Sequence, residues 1–168
     1  MDATAEAGFA DFVRSRWRDL VRAAIFLGAS PYEAEDLAQQ TLVRCYASWE
    51  RVTDATNRDA YVYRMLLNQL RDARRTRWWR GRVDAEPDGR IDDASNQVVI
   101  ADAVHQALAG LTKPNRDVVV LRYFVQLTEA QTAAALGISV GTVKSRMSRS
   151  LDRLADSHHL IEMSEERR

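Results

Sequence analysis

The side chains in this sequence best suited to chemistry are cationic and hydroxylic rather than nucleophilic. Residues 128–154 read TEAQTAAALGISVGTVKSRMSRSLDRL. If Ser139 caps a helix that buries Val143, Met147, Leu151 and Leu154, the other face carries Thr142, Lys144, Ser145, Arg146, Arg149 and Arg153. Hydroxyls and a helix N-terminus hold phosphates, and Arg or Lys reaches guanine edges in a major groove. A second cluster lies earlier, where the run from Arg71 to Arg80 interleaves Arg74, Arg75 and Arg77 with Trp78 and Trp79. Phosphates suit the guanidinium groups and unpaired bases stack on indoles, at about 1–3 kcal/mol per base. The same residues read equally well as core tryptophans beside solvated arginines.

Covalent and metal chemistry have little to work with. Cys45 is the single cysteine, so neither an internal disulfide nor a cysteine metal cluster can form. His105, His158 and His159 have no i, i+4 pairing, no flanking carboxylate pattern exists, and no glycine loop cradles phosphate. The expectation is no catalytic residue, no metal and no cofactor.

The elements that must position these residues are helical. Phe9, Phe12, Val13, Trp17, Leu20, Val21, Ala24 and Leu27 recur at three- and four-residue steps up to a stop at Gly28. Ser30-Pro31-Tyr32-Glu33 restarts a helix as a capping box, with Ala34, Leu37, Ala38, Thr41, Leu42, Cys45, Tyr46 and Trp49 inward. Asn57 caps a third, burying Tyr61, Val62, Met65, Leu66 and Leu70 and leaving Arg64, Arg71, Arg74 and Arg75 for another face. Gly81 to Asn96 holds five acids, two glycines and a proline, and reads as a linker. Two more helices follow, over 98–111 and 112–125. Thr128 and Gln131 then open a short helix ended by Gly137. Ala133, Gly137 and Val143 have the small residue, turn glycine and β-branched spacing of a helix-turn-helix. The alternative is an ordinary helical hairpin, which the agreement of cap, glycine, small residue and charge disfavours.

Composition sets the class. With 168 residues, 46% hydrophobic and 29% charged, the chain suits one ordinary domain or two small ones rather than a disordered tail. No apolar run approaches the roughly 20 residues of a membrane span, and MDATAEAGF lacks the pattern of a secretory leader, so a cytoplasmic location is expected. Basic and acidic residues balance at 24 each, yet they are segregated. Residues 61–82 hold 7 basic and 1 acidic, net +6, while 83–110 hold 1 and 6, net −5. Local cationic surfaces on a neutral chain are the consequence.

In combination these features resemble an extracytoplasmic-function sigma factor, the small two-domain class of bacterial transcription initiation factor, and within it an actinobacterial group opening on Phe9-x-x-Phe12-Val13-x-x-x-Trp17. The likeness spans about residues 8–155. It implies an all-α fold with a helical bundle over 1–80, a flexible acidic linker over 81–96, a helix-turn-helix domain over 97–157 and a tail over 158–168. The segment from Ala34 to Gln40 is similar to the one that docks on the clamp helices of the polymerase largest subunit, which assigns Glu35, Asp36, Gln39 and Gln40 to core RNA polymerase. Ala60 to Arg75 looks like the segment that opens and reads the minus-ten element. That implies contacts from Arg64, Asn68, Arg71, Asp72, Arg74, Arg75, Arg77 and Trp78 to promoter DNA, including the non-template single strand. Gly141 to Arg146 is close to the minus-thirty-five reader, with Thr142, Lys144, Ser145, Arg146 and Arg149 on duplex DNA. The resemblance also allows an anti-sigma partner, and implies no membrane insertion. Gln40, Tyr61, Gln131 and Thr132 depart from the family's usual Glu, Trp, Glu and Ile. Two other readings stay open at this point: a helix-turn-helix regulator acting without polymerase, and a sigma-like interaction protein without promoter activity.

Overall fold

Residues 2–79 and 96–165 are described by the computed structural model, with side chains over 2–77 and 103–156; among them every regular element is a helix. α1 (Ala3–Phe26) opens where the Asp2 carboxylate accepts from the Ala5 amide at 2.8 Å, and it buries Phe12, Leu20, Ala23 and Ala24. Gly28 then turns the chain at φ +100°, a conformation that side chains with a β-carbon resist. α2 (Pro31–Ala47) begins with the expected capping box: the Glu33 amide donates to Ser30 Oγ at 3.3 Å and the Ser30 amide to Glu33 Oε2 at 3.1 Å. A short α3 (Trp49–Asp54), which the periodicity does not announce, carries the chain to α4 (Arg58–Trp79). There Asn57 Oδ1 accepts from the Ala60 amide at 3.1 Å, as its cap position predicts.

The second half contains α5 (Asn96–Ala109), α6 (Lys113–Val119), α7 (Glu129–Leu136) and α8 (Val140–Glu165). The linker expected over 81–96 lies outside the described residues except for Asn96, which starts α5. α8 runs through the positions expected as tail, as far as Glu165.

One expectation fails here: residues 112–125 do not make a single α-helix. α6 passes into a π-helical turn, Val120–Phe124, followed by Gln126 at φ +63°. Val118, Val119, Val120 and Leu121 are all buried, and they are shared between two apolar clusters, so the segment packs on nearly every side. Val120 and Leu121, the first two residues of the wider turn, continue the buried run begun by Val118 and Val119 in α6. Gln126 occupies a left-handed conformation without being a glycine, which costs roughly 1 kcal/mol. Gln126→Gly should therefore raise the unfolding free energy by about 1 kcal/mol, read as a higher urea midpoint at unchanged slope.

The two halves do not form separate cores. One buried cluster unites Leu20, Leu66 and Leu70 with Leu108, Leu111, Leu121, Leu127 and Ala135. A smaller cluster of Val118, Ala133 and Val143 lies where α7 crosses α8, and Ala133 is the small residue that such a crossing requires. Beside it Thr132 is fully buried, and its Oγ1 has no hydrogen-bond partner among the described residues. A buried hydroxyl left unpaired costs about 1–3 kcal/mol. Thr132→Val keeps the branched shape and removes that group, so thermal unfolding should shift upward by the equivalent of about 1–2 kcal/mol; an unchanged midpoint would mean that the hydroxyl is hydrated.

Candidate nucleic-acid interface

The helix-turn-helix is assembled by three local devices. Thr128 and Gln131 form the capping box that starts α7: Thr128 Oγ1 accepts from the Gln131 amide at 3.1 Å and Gln131 Oε1 from the Thr128 amide at 2.7 Å. Gly137 ends α7 at φ +67°. Ser139 Oγ accepts from the Thr142 amide at 3.1 Å and lies 2.9 Å from Thr142 Oγ1, which fixes the first turn of α8.

Val143 is fully buried, and that sets the register of α8. Lys144, Arg149 and Arg153 are exposed, while Thr142, Ser145 and Arg146 are half-buried. Ser145 Oγ donates to the Thr142 carbonyl at 3.1 Å, so its hydroxyl is partly engaged within the helix. Lys144 Nζ stands 3.6 Å from Glu129 Oε2, across the turn and open to solvent. Neither Arg146 nor Arg149 forms an ion pair with a described residue, so their cationic heads are available to an outside anion.

α4 has two polar faces with different uses. Arg64, Asn68, Arg71, Asp72 and Arg75 are exposed, with Arg71 Nη1 donating to Asn68 Oδ1 at 3.4 Å and Arg75 standing 3.7 Å from Asp72. These five share one outward face, and Arg74, which the spacing puts there with Arg64, Arg71 and Arg75, is not on it. Arg74 and Arg77, one turn apart, turn the other way. Arg74 Nη2 donates to the Leu27 carbonyl at 2.7 Å, and Arg77 pairs with Glu33, the residue that completes the α2 capping box. Burial lowers the pKa of Arg74, and the neighbouring Arg116 adds to that, while Asp117 opposes it. The Trp78 side chain lies outside the described residues.

On α2, Glu35, Asp36, Gln39 and Gln40 are all exposed, and Gln40 Nε2 donates to Asp36 Oδ2 at 2.6 Å. The Gln40 amide thus bonds a neighbouring carboxylate that a Glu there would repel. A groove of about 440 Å³ between α2 and α4 is lined by Asp36, Gln40, Arg44, Gln69, Asp72 and Arg77. It brings two residues assigned to polymerase docking, Asp36 and Gln40, beside two assigned to DNA, Asp72 and Arg77, an adjacency that sequence spacing alone did not disclose. Sequence reading also missed the apolar strip on the outer side of α2, where Tyr32, Val43 and Tyr46 are exposed.

Two family models and several known proteins match the chain. Residues 12–80 match the model of sigma-70 region 2, and residues 101–154 match that of sigma-70 region 4. The RNA polymerase sigma-E factor of Streptomyces avermitilis is 40% identical over 154 residues, covering 88% of this chain and 83% of that protein. The ECF RNA polymerase sigma factor SigL of Mycobacterium tuberculosis is 32% identical over 134 residues, covering 76% of each. Among solved structures, the sigma factor RpoE of Bartonella quintana, in complex with the anti-sigma factor NepR, superposes with a TM-score of 0.79 at 25% identity over 89% of this chain and 95% of that one. CnrH in complex with the cytosolic domain of CnrY gives 0.67 at 25% identity over 94% of each.

Proposed function

This chain belongs to the sigma-70 family, in its extracytoplasmic-function branch, and from that premise we propose how its own residues recruit polymerase and read a promoter. The exposed row Glu35, Asp36, Gln39 and Gln40 docks on core RNA polymerase. The outward face of α4, with Arg64, Asn68, Arg71, Asp72 and Arg75, holds the minus-ten element and its separated non-template strand. The start of α8, with Thr142, Lys144, Ser145, Arg146 and Arg149, enters the major groove at the minus-thirty-five element. The chain works in the cytoplasm as a binding factor rather than an enzyme, and its helices need no cofactor. An anti-sigma protein is a fitting regulator, since one solved neighbour is a sigma factor in complex with an anti-sigma factor.

One observation carries the reading: both family regions occur in one chain, and each presents a helix whose exposed face is cationic. Extruding a base from the duplex costs a few kcal/mol, which stacking and polar capture on such a face offset. In vitro transcription with core polymerase on a genomic promoter library tests it. Transcript starts should share two upstream elements, and gel shifts should show specificity only with core enzyme present. Polymerase-independent binding to a two-fold symmetric site would replace this reading with that of a helix-turn-helix regulator.

A further inference from the structure

The groove between α2 and α4 holds polar groups that neither neighbouring face uses. The two helices run antiparallel, held at one end by the Arg77–Glu33 ion pair and at the other by Cys45 Sγ, 3.8 Å from Met65 Sδ. That pairing sets Arg44 of α2 opposite Gln69 of α4, and both line the space of about 440 Å³. Gln69 is the one buried residue of the lining, at 4% exposure. Its Nε2 is buried without a hydrogen-bond partner, and neither end of its amide is bonded to a described residue. Buried polar side chains ordinarily find partners, so an amide left open at the floor of a groove calls for an explanation. Arg44 is exposed and pairs with no described carboxylate. The other lining charges are engaged: Arg77 by Glu33, Asp36 by Gln40 at 2.6 Å, and Asp72 by Arg75 at 3.7 Å. The uncommitted groups are therefore one amide and one guanidinium, facing each other at the same end.

Those two groups define what fits. A primary amide carries one donor and one acceptor side by side in a plane, and rotation about its last bond presents them in either order. The adenine edge bearing N6 and N7 is its complement: Oε1 accepts from the N6 amino group and Nε2 donates to N7. Guanine shows two acceptors on that edge, N7 and O6, and would leave Oε1 facing O6. A guanidinium fork beside the base suits a phosphate. Half-buried Ala73 on the α4 wall gives the purine an apolar surface. The volume lies within the usual range of small-molecule sites, about 300–1,000 Å³.

We propose that this groove is a site for a free adenine nucleotide, with Gln69 reading the base and Arg44 holding the phosphate, and that a bound nucleotide opposes polymerase docking because Asp36 and Gln40 line the same space. The second part rests on the docking reading above; the site itself does not. A free nucleotide fits better than an adenine of the promoter strand. Gln69 lies about 100° round α4 from Asn68 on the outward row, and Asp72 stands between them, a carboxylate that repels strand phosphates.

The test is calorimetric titration of the full chain with AMP, GMP and adenosine. AMP should bind at one site, and GMP should bind roughly 5- to 150-fold more weakly, the discrimination of a bidentate base contact. Gln69→Leu should weaken AMP binding over the same range. Arg44→Met should weaken AMP by roughly tenfold or more, the worth of a hydrogen bond to a charged group, and leave adenosine unchanged. Arg51→Met, an exposed change of the same charge on α3, should leave AMP binding unmoved. Gln69→Leu exchanges an unpaired buried amide for an apolar group, so the fold should hold by circular dichroism; if it does not, the AMP-to-GMP ratio and Arg44→Met decide. Saturating AMP should also reduce capture of wild type by core polymerase and leave Gln69→Leu unaffected. No binding of AMP, equal binding of AMP and GMP, or Gln69-dependent binding of an oligodeoxyadenylate with none of AMP would each overturn the site. Undiminished capture at saturating AMP would overturn its opposition to docking. The titration needs no polymerase, so failure of the site and failure of the docking reading are told apart.

Discussion

Trp49→Ala should destabilise the protein by roughly 3–5 kcal/mol, the range for emptying a buried large aromatic site. Trp49 is 8% exposed at the joint between α2 and α3. Its indole meets Phe9 edge-on at 5.2 Å and Phe12 at 5.3 Å, and Phe9 in turn meets Tyr46 at 5.1 Å. Arg58 places its guanidinium carbon 5.9 Å from the indole centre, tying the first turn of α4 to the same ring. One side chain of α3 therefore joins α1 to α4, and through Phe9 it reaches Tyr46 of α2. Its removal leaves a cavity that none of these helices can fill alone. Against a typical stability of about 5–15 kcal/mol, that loss is a large fraction. Urea unfolding followed by circular dichroism is the measurement, and the midpoint should fall with the slope unchanged. A loss below about 1 kcal/mol would mean that the aromatic cluster is not what fixes α1 on the bundle. The functional consequence is positional: α2 carries Glu35, Asp36, Gln39 and Gln40, and an unanchored α2 should bind core polymerase more weakly even where the chain remains folded.

Much of this arrangement is legible in the residues because helix ends are decided locally. Ser30 with Glu33, Asn57, Thr128 with Gln131, and Ser139 each make the cap that their spacing announces. Gly137 and Ala133 take the turn and the crossing for the same reason. What periodicity cannot show is which neighbour an amphipathic side chain reaches. Arg74 and Arg75 are adjacent and chemically identical, yet one is committed to the Leu27 carbonyl while the other lies in solvent near Asp72. Tyr46 falls on the apolar stripe of α2 but is 49% exposed, because its ring covers Phe9 from the rim of the bundle. The π-helical turn is hidden for a related reason. A valine run is consistent with a buried helix of any pitch, and only packing against two clusters selects the wider one. The shared core was equally out of reach, since apolar stripes show that a face is buried without showing whether its partner lies in the same half.

The second large effect concerns α8. Arg146→Ala should reduce discrimination at the minus-thirty-five element by about 1–3 kcal/mol, or roughly 5- to 150-fold, if its guanidinium reads a base edge. Its position favours that role over a phosphate contact. Base-reading side chains sit in the first turns of a recognition helix, and Arg146 lies six residues into α8 from Val140. Its side chain is half-buried, so its stem is held by packing, whereas Arg149, three residues on, is exposed. A long side chain that is already restrained loses less entropy when it meets a base, and a planar fork on a fixed stem discriminates better than a free one. Arg149→Ala should behave differently. It should weaken binding to every sequence alike and lower the salt dependence by about one counterion. The comparison is made with the holoenzyme on duplexes carrying each single change in the upstream element, at two salt concentrations. If Arg146→Ala lowers affinity uniformly and leaves the preference among duplexes intact, Arg146 is a phosphate contact, and base reading must pass to Lys144 or the hydroxyls beside it.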